Sequence, residues 1–107
     1  MKRLVPALLM SLSLAALAAG EPEFKLVIEN HKFTPETVNV PAGQKVKLVI
    51  ENKDATPEEF ESHALNREKV IPGKSSATIF IGPLKPGEYK FVGEFNEKTA
   101  KGVIVAK

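Results

Sequence analysis

After residue 20, apolar and polar side chains take turns along most of the chain. Phe24, Leu26 and Ile28 share one side of a segment whose other side carries Lys25, Val27 and Glu29. Val46, Leu48 and Ile50 point one way, with Lys45 and Lys47 opposite. Ala77, Ile79 and Ile81 repeat the pattern, as do Tyr89 with Phe91 and Val103 with Val105. A period of two, rich in β-branched residues, marks strands that bury one face. Between these segments stand Pro35, Pro41 with Gly43, Pro57, Pro72 with Gly73, Gly82 with Pro83, Pro86 with Gly87, and Gly93. That punctuation leaves no room for a long helix and suits short strands joined by turns. The pattern predicts about seven strands, near 23–30, 37–40, 44–52, 58–62, 75–81, 88–93 and 102–106. The fold class is therefore all-β, a Greek-key β-sandwich. In the 58–62 segment the alternation turns Phe60 inward and sends Glu59 and Glu61 to solvent.

The first twenty residues follow a different rule. Lys2 and Arg3 precede a run, Leu4 to Leu17, that is apolar apart from Ser11 and Ser13, and Ala18, Ala19 and Gly20 follow. Basic start, apolar centre and small-residue end make a secretory signal peptide. The run is shorter than the roughly 20 residues a bilayer-spanning helix needs, and it contains Pro6. Cleavage after Ala18 or after Gly20 fits the small-residue spacing, and the second leaves residues 21–107 as the mature domain. No Cys stands at the junction and no arginine pair precedes the apolar run, so the expected route is Sec export to the periplasm, with no membrane insertion after cleavage.

Export changes the chemistry on offer. Met1 and Met10, the only methionines, leave with the signal, and the chain has no Cys at all. Losing Lys2 and Arg3 from the fifteen basic residues balances them against the thirteen acidic ones. A neutral domain lacks the basic excess of a nucleic-acid binder. With no Cys nucleophile, no Gly-x-Ser-x-Gly elbow and only His31 and His63 as imidazoles, the chain is expected not to be an enzyme. Asn52 and Asp54 read as turn-formers, and His31 as an exposed or hydrogen-bonded residue in a turn. The remaining candidates are acids: Glu58, Glu59 and Glu61 in one region, Glu94 and Glu97 beside Asn96 in another, and Glu68 between. Glutamates are mostly solvated wherever they occur, and charges on an edge strand also discourage aggregation, so spacing alone makes no site.

Three stretches carry a family likeness. Phe33-Thr34-Pro35 leads to Val38-Asn39-Val40-Pro41-Ala42-Gly43, then Ile50-Glu51-Asn52-Lys53-Asp54 to Pro57-Glu58-Glu59-Phe60-Glu61-Ser62. Pro83-Leu84-Lys85-Pro86-Gly87-Glu88-Tyr89-Lys90-Phe91 closes with Gly102-Val103-Ile104-Val105. Together they resemble the cupredoxin superfamily. Glu59–Ser62, Glu68-Lys69-Val70, Gly93-Glu94-Phe95 and Thr99-Ala100 are similar to the EfeO-type cupredoxin-like domains of bacterial iron and copper handling.

The blue-copper members of that superfamily carry a loop of the form Tyr-x-Phe-x-Cys-x-x-His, with a Met beyond it. Here Tyr89 and Phe91 match, but Gly93 stands for the Cys, Asn96 for the His, and Ala100 or Lys101 for the Met. The upstream His falls on Glu58 or Glu59. A type 1 copper centre needs a thiolate, so none is expected. The resemblance implies instead that the loop after Pro57 meets the loop after Gly93 at one end of the sandwich. A cation site there would draw on Glu59 and Glu94, with Glu68, Glu61 and His63 as further ligands. Carboxylates suit hard ions, and one imidazole extends the range to copper(II), so the cofactor implied is an iron or copper ion. The partner implied is a membrane iron permease or another component of metal uptake. The alternative is a non-catalytic β-sandwich interaction domain without metal. Export is tested by the mass of protein recovered from the cell envelope. It should lack the first 18 or 20 residues, whereas a full-length chain in the cytosol would contradict the signal reading.

Overall fold

The computed structural model describes residues 20–107, so all of the proposed signal segment except Gly20 lies outside the described residues. Nine strands follow in order: β1 Glu23–Glu29, β2 Lys32–Thr34, β3 Thr37–Val40, β4 Val46–Asn52, β5 Glu58–Ser62, β6 Arg67–Ile71, β7 Ser75–Ile81, β8 Gly87–Gly93 and β9 Lys101–Ala106. A short 3₁₀ helix, η1, covers Glu94–Asn96. The strands form two sheets, in the orders β2-β1-β4-β7 and β3-β9-β8-β5-β6. The pairs β1–β4 and β3–β9 are parallel and the other pairs antiparallel. The sandwich is thus the predicted all-β class.

Two strands escape the sequence pattern. β2 has three residues and follows β1 across Asn30 and His31, both in the left-handed region (φ 56° and 57°). Paired left-handed residues match the right-handed twist of a tight hairpin. β6 is a sheet edge with four of its five residues exposed, so it shows no buried face to betray it. Its Arg67, Glu68 and Lys69 charge that edge, which discourages further strand pairing.

Burial follows the alternation. Leu26, Ile28, Leu48, Ile50 and Ile81 of one sheet meet Val38, Val40, Phe60, Ile71, Phe91 and Ile104 of the other. Three rings tie the layers. Phe33 from β2 meets the edge of Phe91 at a centroid distance of 4.9 Å, and Phe91 stacks on Phe60 at 5.0 Å. Such ring pairs add about 1 kcal/mol each beyond their buried area.

Asn52 and Asp54 order the end of β4. The buried Asn52 amide donates to Thr56 O (2.9 Å), Ile71 O (3.1 Å) and Pro72 O (3.3 Å), and its Oδ1 accepts from Asp54 N (3.0 Å). One side chain thereby binds the entry to β5 to the β6–β7 turn. Asp54 Oδ1 and Oδ2 accept from Asn30 N (2.8 Å) and His31 N (3.0 Å), pinning the β1–β2 turn. The His31 N–H holds the Asp54 carboxyl below its usual value, with the Asn30 N–H and the nearby His31 and Lys74 charges assisting against desolvation. Asn52→Ala would strand carbonyls in a dry interior, at a cost of about 3 kcal/mol. Chemical denaturation should show that loss, while Asn39→Ala, at an exposed position of β3, should stay within about 0.5 kcal/mol of the parent.

Candidate functional site

β5 lies between β8 and β6 in the five-stranded sheet, so its two faces look onto different surroundings. Glu58, Phe60 and Ser62 point into the sandwich and are buried, while Glu59 and Glu61 point outward. Successive side chains on a strand oppose one another, so this one segment carries two separate sets of carboxylates.

The inner set is Glu58 alone, at 1% exposure. A charged group so placed must be hydrogen-bonded, because burying it unpaired is far too costly. Its Oε1 accepts from the backbone N–H of Glu59 (3.0 Å) and of Phe95 (2.9 Å), and its Oε2 from Asn96 Nδ2 (2.7 Å). Phe95 and Asn96 belong to η1, whose N-cap, Gly93, offers no side chain. Glu58 therefore does from a neighbouring strand what a capping side chain does from within a helix. Ala100, fully buried, closes the turn: Gly93 N donates to Ala100 O (2.9 Å) and Ala100 N to Asn96 O (2.8 Å).

Of the positions that stand for copper ligands, Glu58, Gly93, Asn96 and Ala100 gather at one place, while the alternatives Glu59 and Lys101 do not point there. Those four do not fit a type 1 copper ion. Glu58 and Asn96 are spent on each other, and Gly93 and Ala100 bring no donor atom. Nor is there space for a cysteine: a Cβ on Gly93 would lie 2.7 Å from Glu58 Cδ and 2.7 Å from Ala100 Cβ.

The outer set is larger. Glu61 lies directly opposite Glu68 in the β5–β6 register, and opposite Val92 in the β5–β8 register. The side chain of Glu94, the first residue of η1, pushes the Glu61 pKa up to about 7 by hydrogen bonding to its carboxyl, with desolvation and the Glu94 and Glu68 charges adding and His63 opposing. Glu59 is raised by desolvation first and then by the charges of Glu94, Glu68 and Glu58. The two ion pairs among the described residues, Lys25–Glu51 (3.1 Å) and Lys47–Glu23 (3.5 Å), lie on the other sheet. Glu59, Glu61, Glu68 and Glu94 therefore lie near one another with no ion pair to Lys or Arg among those residues.

Each candidate from the sequence has a definite place. Glu59 and Glu61 lie on the outer side of β5, Glu68 lies on the edge strand β6 opposite Glu61, and Glu94 opens η1, where its charge acts on both Glu59 and Glu61. His63 follows β5 in an exposed turn and lines a shallow depression with Glu61, Arg67 and Glu68. His31 lies over η1, beside Glu94 and Lys98. Among the described residues, no group of three or more His, Cys, Asp and Glu side chains is arranged as a ready metal cage. Glu58, named among the candidate acids and as a stand-in for the upstream His, was not among the expected cation ligands. Its signal was its phase, two positions before Phe60.

Relatives share this frame. A cupredoxin-like domain profile matches residues 3–106. The chain belongs to the cupredoxin-like domain family. An uncharacterized protein of Rickettsia prowazekii (strain Madrid E) is 48% identical over 83 residues, which span 78% of this chain and 66% of that protein. The chain thus matches just under two thirds of that relative's length. Auracyanin A, a blue copper protein of Chloroflexus aurantiacus, superposes with a TM-score of 0.71 at 14% identity, covering 82% of this chain and 100% of that one. The metal-binding domain of the Cu(I)-exporting P-type ATPase CopA of Streptococcus pneumoniae D39 gives 0.67 at 14%, covering 79% and 84%. At such identities the cupredoxin likeness is one of fold, and the copper belongs to those proteins.

The pairing of Glu61 with Glu94 sets a pH dependence for the metal-free protein. Glu61 has its pKa raised on folding, so the folded state binds the proton more tightly than the unfolded chain. The stability this contributes is present below the ordinary carboxylate value and is lost as pH rises from about 4.5 to about 7. Carbon-detected NMR should find Glu61 titrating near 7, and Glu94→Gln should bring it back toward the ordinary range. Over that interval the melting temperature of wild type should fall more than that of Glu61→Gln.

Proposed function

We propose that this cupredoxin-like domain is an exported, periplasmic metal-binding protein that takes iron or copper as cargo through carboxylates on its outer face. On this reading it binds without catalysing, and it serves a membrane iron permease or another component of metal uptake. The observation that carries the proposal is the placement of Glu59 and Glu61 on the outer side of β5, with Glu68 directly opposite Glu61 on β6 and Glu94 at the start of η1, and with no Lys or Arg ion pair to any of them among the described residues. Like charges so placed repel unless a proton or a cation intervenes. A metal ion relieves that repulsion more fully than a proton does, and oxygen ligands suit iron. Glu61 and Glu94 are the first ligands on this reading, with Glu59, Glu68 and His63 around them and water completing the shell. The fold supports it in general terms, since relatives of the same architecture include copper-binding domains.

Thermal melting of the mature protein, alone and with iron(II) under anaerobic conditions or with copper(II), tests the proposal. A ligand bound only by the folded state raises the midpoint by mass action. Glu61→Gln and Glu94→Gln should each lose most of that rise, yet without metal be at least as stable as wild type, because each removes a repelling charge. No midpoint shift with any metal would overturn the proposal in favour of an interaction domain, for which the exposed Phe95 beside Glu94 is the natural contact. An equal shift in all three proteins would place the cation elsewhere.

A further inference from the structure

We infer that Glu58 is a positioning residue for the acidic face: its buried carboxylate anchors η1 against β5 and so holds Glu94 beside Glu61, without touching the cation itself. The inference rests on the cation-binding reading for its consequence, though not for its geometry.

Glu94 lies between two residues placed against β5. Before it, Gly93 lies opposite Phe60 in the strand register. After it, Phe95 N donates to Glu58 Oε1 at 2.9 Å. Asn96 Nδ2 adds a second tie to Glu58 Oε2 at 2.7 Å. The Glu94 side chain is itself exposed, so its own packing does little to hold it in place. The charges on the outer face act against the contact, because Glu94 faces both Glu59 and Glu61, whose proton affinity it raises. A segment that begins with a repelled carboxylate and has no side-chain cap needs an anchor. Glu58 provides one from the opposite face of the same strand. The space it occupies is kept open by Gly93, where any Cβ would lie 2.8 Å from Glu58 Oε2. Groups behind a ligand that fix its orientation commonly govern metal affinity as strongly as some ligands do.

The test compares wild type with Glu58→Ala, Glu58→Gln, Asn96→Ala and a double variant that combines Glu58→Gln with Asn96→Asp. In Glu58→Gln the carboxylate charge is lost, and the bond to Asn96 survives only if the Asn96 amide turns over to present Oδ1 to the new N–H₂. In the double variant, the amide introduced on β5 donates to the carboxylate introduced on η1, and the bond is restored with reversed polarity. Copper(II) and iron(II) affinities are measured by calorimetry well below the lowest melting midpoint. Hydrogen exchange at the Phe95 amide is followed without metal. Glu58→Ala should weaken affinity about tenfold or more with every outer carboxylate intact. Glu58→Gln and Asn96→Ala should fall between, and the double variant should recover most of the loss. Exchange at Phe95 should speed up in Glu58→Ala. If all folded variants bind as wild type does and only their melting points fall, Glu58 is structural and the inference is overturned. If wild type binds neither metal, the cation reading fails. The positioning claim is then judged on exchange alone, and unchanged protection of Phe95 in Glu58→Ala or, should that variant not fold, in Asn96→Ala overturns it.

Discussion

A carboxylate buried between two β-sheets is the constraint to which the functional end of this molecule answers. Glu58 reaches the interior because it shares the phase of Phe60 and Ser62, and it remains there because three N–H groups converge on it. Each of those donors has consequences. Phe95 and Asn96 must form a turn tight enough to present their N–H groups, which fixes η1. Gly93 must lack a side chain, since the carboxylate fills its space. Ala100 must be small, since it packs against Gly93 and closes the same turn. The crowding continues one step further. Gly102, opposite Phe91, lies under that ring, and Phe91 in turn stacks on Phe60. The aromatic core and the carboxylate anchor are thus neighbours in one packed unit, where interior density leaves little slack.

The same arrangement separates the protein from the blue-copper branch of its family. In place of a metal that ties two loops together, a hydrogen-bonded carboxylate and amide tie β5 to η1. The chemistry that remains available is displaced by one residue along β5, from the inner face to the outer. There the carboxylates are near solvent, adjustable in proton content, and unmatched by Lys or Arg among the described residues. A cation held at such a place would exchange with its surroundings far more readily than one enclosed in the core, which suits cargo better than a resident cofactor. Fold likeness alone could not have said this, because function is carried by the site and not by the sandwich.

Much of this was legible in the sequence wherever burial wrote a period of two. β1, β4, β5, β7, β8 and β9 announce themselves through alternating Leu, Ile, Val and Phe. β2 did not, because three residues hold less than one full alternation and its pairing is set by the left-handed Asn30 and His31. β6 did not, because an exposed charged edge has no hydrophobic signature. At the site, the outer face of Glu59 and Glu61 followed from the inward Phe60, and the likeness to blue-copper proteins pointed to Glu58 or Glu59, Gly93, Asn96, and Ala100 or Lys101. What one chain could not disclose was that these residues bond to each other. Glu58 was grouped with its acidic neighbours by type, while its phase already assigned it to the core. The pairing of Glu61 with Glu94 depends on where η1 begins, and three-dimensional contact alone supplies that.

Two carboxylates with opposite shifts show how the fold distributes its electrostatic strain. Asp54 accepts backbone N–H groups and is held below its usual value, so its contribution to stability is present above the unfolded value near 3.8 and is lost as pH falls through the lowered one. Glu61 faces another carboxylate and is held above its usual value, so its contribution is present below about 4.5 and is lost as pH rises to about 7. The first group is satisfied by the chain itself. The second has no ion pair among the described residues, and a proton or a cation satisfies it. A fold tends to place groups it can satisfy where they hold turns, and Asp54 does so at the β1–β2 hairpin. Groups left unsatisfied tend to mark where a protein meets a ligand. By that criterion Asp54 belongs to the scaffold, and the outer face of β5 is where the proposed cation would be met.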